Sequence, residues 1–409
     1  MSDEHQLTYR WYILALLTGT GTFVAALPFS CMPVLSKEIS EDLGLSLVEI
    51  GAVWGIASLA GIFVSIIGGL LGDRFGVKLI LGVSCVLVGI TGALRGLSVD
   101  FLTLAVTTFA NGIVRLIVPI NVTKTVGILF KGPNLGMAMG ISAMGMGLGL
   151  MLGPVISATI LSPLLGGWRN VLFLYGVVSA VVGILWFLFG KELQQVEPID
   201  RISGAVPFRQ ALSRLIRIKA LWFLGFTLMF RSGCIMGMTG YLPLYLSNQG
   251  WTTASADGTL AAFYAISTIC VVPLTSLSDK IGSRKAILFP ALLVTIICLG
   301  LLPVVHGTII WVLMILAGVF MDGFMAIIIT MLLETDGVGP IYSGTALGIV
   351  FTLGQFGGVV SPPLGNSFAD VNPGLPFVFW AALSVVPLVT LAFIKETGWR
   401  KTKATKIQT

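Results

Sequence analysis

The sequence predicts an all-α polytopic membrane protein, with twelve transmembrane helices in two six-helix bundles. The first observation is composition: 56% of the 409 residues are hydrophobic and only 10% are charged, whereas a water-soluble domain carries about 25% charged residues. The second is that the apolar residues fall in runs of about 20, the length that crosses a bilayer as a helix. The third is an internal repeat. This composition excludes a soluble enzyme, a disordered chain and a disulfide-stabilised scaffold.

Twelve apolar segments define the predicted spans. Windows of about 19 residues, ended at clusters of charge, Pro and Gly, give segments near 11–34, 48–72, 79–97, 101–128, 136–161, 170–190, 220–246, 258–277, 286–305, 309–333, 342–366 and 375–394. The first has about 24 residues, too long for a signal-peptide core, so it counts as span 1. We expect an N-terminal bundle (1–190), a cytoplasmic linker (191–219), a C-terminal bundle (220–394) and a basic cytoplasmic tail (395–409). Within the linker, the basic amphipathic run 208–219 predicts a helix on the inner leaflet.

The lysines and arginines of the loops predict the orientation, because cytoplasmic loops carry the excess of these residues. With both termini in the cytoplasm, nineteen fall on the inner face and three on the outer face. The inner set is Arg10, Arg74, Lys78, Lys124, Lys131, Lys191, Arg201, Arg209, Arg214, Arg217, Lys219, Lys280, Arg284, Lys285, Lys395, Arg400, Lys401, Lys403 and Lys406. The outer set is Lys37, Arg95 and Arg169. We therefore expect a multi-pass protein of the cell (inner or plasma) membrane.

Neither a cofactor nor a metal is predicted. The five cysteines all fall inside apolar segments without C-x-x-C spacing, which is typical of small buried apolar residues. The net charge of +6 is spread thinly between apolar runs, so we expect no nucleic acid partner. The expected partners are the lipid bilayer and a small-molecule substrate, and the expected state is a monomer.

The two halves of the chain repeat a loop motif. Between spans 2 and 3, residues 69–78 read GLLGDRFGVK, and between spans 8 and 9, residues 275–284 read TSLSDKIGSR. Both contain D-[RK]-x-G-x-[RK]. A second echo pairs Phe109–Gly112 in span 4 with Phe320–Gly323 in span 10. Repeats of this kind are typical of transporters built from two bundles.

With these motifs the chain resembles the major facilitator superfamily over essentially its whole length. The resemblance implies two bundles that rock around a central site, opening alternately to each side of the membrane. It also implies that the loop acid helps to latch the inner gate, which would make Asp73 the latch residue. The residues predicted to act in gating are Asp73, Arg74, Gly76, Lys78, Asp279, Lys280 and Arg284.

Three charges remain near the centres of apolar segments: Arg115 in span 4, Arg231 in span 7 and Asp322 in span 10. Each costs about 2.5–3.5 kcal/mol on insertion scales, so a charge at this depth predicts a function. The resemblance implies that spans 1, 4, 7 and 10 line the central cavity. Two arginines and one acid leave a charge of +1, and guanidinium holds planar oxyanions through paired hydrogen bonds. This favours a small organic anion, similar to a monocarboxylate, as the substrate.

Other roles for these residues stay open. Asp322 could neutralise Arg115 or Arg231 as a structural pair, or it could carry a coupled proton. Asn111, the repeat counterpart of Asp322, and Tyr241 in span 7 could contact the substrate.

The sequence thus predicts a secondary active transporter of a small organic anion. Uptake of an anion against an inside-negative potential requires proton symport or anion exchange. The alternative is a proton-coupled multidrug or metabolite exporter, because residues 149–158 resemble the exporter signature G-x-x-x-G-P-x-x-G-G. Here Ser157 and Ala158 replace its final glycine pair. A substrate sensor would need an added signalling domain. The sequence contains no nucleophile–His–acid set, so an enzyme is not predicted.

Overall fold

The computed structural model describes the backbone of residues 3–130, 134–190 and 208–398, and their side chains except those of residues 3–8, 65–70, 72–74, 208–209 and 340–341. These residues form helices and no β-strand. Spans 1 to 6 are Tyr9–Leu43, Leu47–Phe75, Val77–Arg95, Phe101–Leu129, Asn134–Leu165 and Trp168–Phe189. Spans 7 to 12 are Lys219–Asn248, Thr253–Ile281, Lys285–Leu301, Thr308–Leu333, Gly339–Asn366 and Leu375–Phe393.

Eleven of these helices are long and apolar enough to cross a membrane, and the twelfth, span 9, is an apolar helix of 17 residues. The predicted all-α fold with twelve spans is confirmed. The predicted ends are less accurate. Span 1 continues beyond residue 34 to Leu43, where Gly44 ends it with a positive φ of 64°. A span predicted from hydropathy ends where charged residues begin, whereas a helix continues until its backbone hydrogen bonding is interrupted.

The faces of span 3 show how these helices meet their surroundings. One face exposes a stripe of large apolar side chains: Leu79, Val83, Leu87, Ile90 and Leu94. The opposite face is buried and includes Gly89, where an added Cβ would lie 2.5 Å from the carbonyl oxygen of Gly176 in span 6. Small residues let two helix backbones approach closely, and large apolar ones suit lipid tails. A helix apolar on both faces is therefore stable in a bilayer.

Several spans are irregular where the site residues lie. Span 1 contains a π-helical turn at Gly21–Ala26. Span 10 breaks at Phe320 into Thr308–Val319 and Met321–Leu333. The break places Asp322 in the first turn of the second half, where the partial positive charge of the helix terminus favours an acid.

The chain divides into two compact units. Unit 1 takes in the described residues of Met1–Pro198 together with Leu242–Ala261, and unit 2 takes in those of Ile199–Tyr241 and Ala262–Thr409. The segment Leu242–Ala261, from the end of span 7 and the start of span 8, thus groups with unit 1. One contact of this segment is the hydrogen bond from Thr159 to Asp257, 3.5 Å. The predicted bundle limits at 190 and 220 stay a prediction.

The linker contains a helix at Phe208–Leu215, and the rest of the predicted linker, 191–207, lies outside the described residues. Leu215 is fully buried in the core of unit 2. Arg214 donates a hydrogen bond to the hydroxyl of Tyr342, 3.2 Å away. The first part of the amphipathic run is therefore helical as predicted, and its buried residues Ala211 and Leu215 pack on protein. The predicted position on the inner leaflet stays a prediction.

Candidate functional site

Arg115 is buried in the middle of span 4, with a relative exposure of 8%. One terminal nitrogen donates to the backbone carbonyl of Ala25 in span 1, at 3.3 Å. The guanidinium lies over the ring of Phe29, 4.4 Å from its centroid, and Phe29 stacks on Trp54 at 4.6 Å. A cation over an aromatic face is stabilised, the more so when it is desolvated. These contacts orient the charge, and among the described residues of unit 1 no carboxylate pairs with it.

Ala25 lies in the π-helical turn of span 1, Gly21–Ala26. Span 5 packs directly against this turn. An added Cβ on Gly149 would lie 2.6 Å from both the Ala26 Cβ and the Thr22 carbonyl. Thr22 in turn donates to the carbonyl of Gly145, 2.7 Å away. The glycine-rich run of span 5 therefore sets the shape of span 1 beside Arg115.

Arg95 is a further buried cation of unit 1. It is the last residue of span 3, and only 3% of its surface is exposed. Its predicted place on the outer face of the membrane stays a prediction. Arg95 lines the same cleft as Arg115, together with Phe29, Trp54, Thr108 and Asn111. The sequence carried one signal that Arg95 belongs to the site: an arginine on the outer face is uncommon under the positive-inside rule.

Asn111 is buried one helical turn before Arg115. Its side-chain nitrogen donates to the Val88 carbonyl at 3.2 Å and to the Thr91 hydroxyl at 3.1 Å. Because an amide has two N–H groups, both are used within unit 1. Asn111 therefore joins spans 3 and 4, and its predicted substrate contact stays a prediction.

Arg231 is the buried arginine of unit 2, 4% exposed in span 7. Its guanidinium lies over the ring of Phe324 in span 10, 5.2 Å from the centroid. Neither terminal nitrogen has a hydrogen-bond partner among the described residues. A buried unpaired charge is costly, so this arrangement favours a ligand that supplies the missing acceptor.

Asp322 and Tyr241 make other contacts in unit 2. Asp322 accepts a hydrogen bond of 2.5 Å from the buried Ser267 hydroxyl, and within unit 2 the described residues show no ion pair between Asp322 and Arg231. Tyr241 is 2% exposed, packs against Phe377, and donates its hydroxyl proton to the Pro373 carbonyl at 3.1 Å. These contacts give Tyr241 a structural role, and its predicted substrate contact remains untested.

The first copy of the loop motif is described in part. Gly76 has φ 83°, a conformation that favours glycine, and it begins span 3. Lys78 is half-buried, with its side-chain stem against Gly190. The side chains of Asp73 and Arg74 lie outside the described ones.

The second copy of the motif forms an ion network at one end of unit 2. Arg284 pairs with Asp279 and donates two hydrogen bonds to Glu334, at 2.7 and 3.2 Å. The hydrogen bonds to Glu334 and Asp279 raise the pKa of Arg284 against the effect of burial. Burial opposes ionisation of Glu396, but hydrogen bonds from Ser283 and from backbone N–H groups at the start of span 9 lower its pKa overall. Lys280 is exposed.

Replacing Glu334 by Gln is expected to destabilise unit 2 by about 1–3 kcal/mol, the scale of a half-buried hydrogen bond to a charged group. Arg284→Gln should cost a similar amount, and the double variant should cost less than the sum because the two side chains form one interaction. Thermal unfolding in detergent measures this. Lys280→Gln is the control, since it removes an exposed charge from the same loop. Equal losses in all variants would contradict the pairing.

The contacts of Arg95, Arg115 and Arg231 share one property. In the part of the chain that the structure describes, none of the three has an acidic residue of its own unit within ion-pair distance. Guanidinium is weakly hydrated and presents a planar fork of donors that matches carboxylate and similar oxyanions. Each position can therefore bind an anion, and within its unit no carboxylate competes for it.

The chain is similar to known proteins over most of its length. A probable nitrate/nitrite antiporter of Thermus thermophilus is 24% identical over 94% of this chain and 90% of that protein. A multidrug resistance protein of Dickeya zeae is 28% identical over 92% of both chains, and a hexuronate transporter of Bacillus subtilis is 21% identical over 90% of both. The solved structure of a nucleoside transporter has the same fold, with a TM-score of 0.79 at 14% identity, covering 93% of this chain and all of that one.

Twelve apolar helices, with buried cations within each unit, are typical of a multi-pass membrane protein of the transporter class. The profile of the Major Facilitator Superfamily matches residues 18–362. The chain belongs to the Major Facilitator Superfamily. This confirms the resemblance noted in the sequence, and it makes the protein a transporter rather than an enzyme.

Proposed function

We propose that this protein is a secondary active transporter of a small planar oxyanion across the cell membrane. The observation that carries the proposal is a buried arginine in each unit, Arg115 in unit 1 and Arg231 in unit 2. Each is held over an aromatic ring, and neither has a carboxylate partner among the described residues of its own unit. Such cations are retained at a cost of several kcal/mol each. An anion bound at either arginine offsets the cost there and supplies an acceptor for that guanidinium.

The relatives named for nitrate/nitrite and hexuronate transport support the substrate class. Both cargoes present planar, negatively charged oxygens, which the guanidinium fork matches. The sequence favours an organic monocarboxylate. Because nitrate has the same planar geometry and charge, we widen the class to small planar oxyanions, organic or inorganic.

The coupling and gating residues are proposals of the same kind. Uptake against an inside-negative potential requires proton symport or anion exchange. Asp322 is the candidate proton carrier, supported by its position in an apolar span and by its bond to a serine rather than to an arginine of its unit. Both loop motifs are the candidate gating elements, with Asp73 as the latch. We place both termini in the cytoplasm and expect a monomer.

A multidrug or metabolite exporter is the second candidate. One relative has that name, and the glycine run before Pro154 in span 5 supports it. The buried arginines oppose it, because many drugs are cations that would be repelled. The missing glycines at Ser157 and Ala158 also depart from the exporter signature.

A ligand screen on the purified protein distinguishes the anion transporter from the exporter. Nitrate, nitrite and glucuronate are each expected to raise the midpoint of thermal unfolding, because a ligand that binds only the folded state stabilises it. Chloride at equal ionic strength is the control for salt effects. Stabilisation by cationic drugs and by none of the oxyanions would reject the anion proposal in favour of the exporter.

A further inference from the structure

We propose that Arg95 and Arg115 bind one small oxyanion between them, in the cleft of unit 1. This inference rests on the proposed anion transport and adds Arg95 as a second binding residue. The two arginines come from different helices, span 3 and span 4, and both line the cleft.

Arg95 is buried without a complete set of hydrogen bonds. Its side chain is 3% exposed, and its Nε has no partner among the described residues. The hydroxyl of Thr108, in the same cleft, is also buried without a partner there. Buried donors are normally satisfied, and an unsatisfied one costs about 1–3 kcal/mol, more when it is charged. The cleft thus contains donors in need of an acceptor.

Among the described residues, no acidic side chain lines the cleft. Phe29 and Trp54 offer aromatic faces, and the amide N–H groups of Asn111 are directed to span 3. Two like charges in one poorly solvated cleft repel each other. An anion with at least two oxygens relieves the repulsion and accepts from both guanidinium groups.

The backbone around Arg95 is anchored, so its position is set before a ligand binds. Arg169 donates to the carbonyls of Gly96 and Ser98, at 3.0 and 2.6 Å, and forms an ion pair with Asp42 at 2.9 Å. These bonds fix the turn that follows span 3. Binding donors that are positioned in advance lose less entropy when the ligand arrives.

The test is anion affinity in matched charge variants of the full-length protein. Arg95→Gln is expected to weaken the Kd for nitrate, nitrite and glucuronate at least tenfold. Arg95→Lys keeps the charge but loses the fork, so it should weaken the Kd by less, about threefold to tenfold. Lys37→Gln removes a charge from unit 1 outside the cleft, and it should leave the Kd unchanged. Isothermal titration in detergent measures Kd, and thermal unfolding without anion measures folding.

Each outcome decides a separate point. If the wild-type protein binds none of the three anions, the proposed function fails. If the wild type binds and Arg115→Gln loses binding while Arg95→Gln keeps the wild-type Kd, only the role of Arg95 is overturned. A lower unfolding midpoint with unchanged Kd in Arg95→Gln would make Arg95 structural. If Arg95→Gln does not fold, Arg95→Lys decides, and an unchanged Kd in that variant rejects the inference.

Discussion

Replacing Arg115 or Arg231 by Gln is expected to reduce anion uptake into proteoliposomes by about 100-fold or more. Glutamine keeps much of the side-chain size and some hydrogen-bonding capacity but removes the charge. Losing one partner of a buried charged pair costs about 2–5 kcal/mol, and each 1.4 kcal/mol is a factor of ten. Uptake of labelled nitrate or glucuronate, at equal amounts of reconstituted protein, measures the loss.

The two variants should fold normally. Each removes a buried charge that has no acidic partner among the described residues of its own unit, so the unfolding midpoint without anion should stay the same or rise. Arg217→Gln is the control, because Arg217 is exposed in unit 2 and its removal should leave uptake unchanged. Wild-type uptake in both Arg115→Gln and Arg231→Gln would reject the two arginines as anion ligands.

A leucine at Gly149 is expected to prevent correct packing of span 5 on span 1 and to abolish anion binding. Even a Cβ at this position would lie 2.6 Å from a backbone carbonyl and 3.1 Å from the Leu27 nitrogen. Overpacking costs about 1–3 kcal/mol or more, and here a rigid helix backbone has to move. The displaced segment contains the π-helical turn that presents Ala25 to Arg115.

Gly140→Leu is the matched control for this effect. Gly140 lies in the same span, and an added Cβ there meets no atom within 4 Å. We expect Gly140→Leu to elute as a monodisperse peak in size-exclusion chromatography and to keep the wild-type unfolding midpoint, whereas Gly149→Leu should aggregate or unfold at lower temperature. Equal behaviour of the two variants would show that close packing at Gly149 is not required.

The sequence predicts most of the fold because the physics of the bilayer is simple. Apolar runs of sufficient length must be helices, so the spans could be counted, and the glycine and charge pattern of the loop motifs places the turns. Helix ends such as Leu43 were missed because a hydropathy window ends where charged residues begin. The helix itself ends where its backbone hydrogen bonding is interrupted. The π-helical turn at Gly21–Ala26 was not predicted, although Pro28 is a signal for it: this proline has no N–H to donate to the Val24 carbonyl, four residues earlier.

The site was predicted in part, and the misses have physical reasons. Arg115 and Arg231 stood out because a charge in the middle of an apolar run is rare. Arg95 was counted only as an outer charge because it comes at the end of such a run, where only the fold decides whether the side chain turns inward. Tyr241 was named because aromatic residues serve packing and binding alike. The sequence could not decide whether Asp322 pairs with Arg231, since side-chain pairing depends on the relative rotation of two helices.

The buried arginine and the aromatic ring that it contacts lie on opposite members of the corresponding helix pair in the two halves of the chain. In unit 1 the arginine is on span 4 and the aromatic ring is on span 1. In unit 2 the arginine is on span 7 and the ring is on span 10. In the internal repeat, span 7 corresponds to span 1 and span 10 corresponds to span 4. Aligning Asn111 with Asp322 sets Arg115 against Ala326, which has no charge. The chemical counterpart of Arg115 is therefore Arg231. When the effect of a substitution in one half is used to predict an effect in the other, positions should be matched by the contacts of their side chains rather than by aligning the repeat.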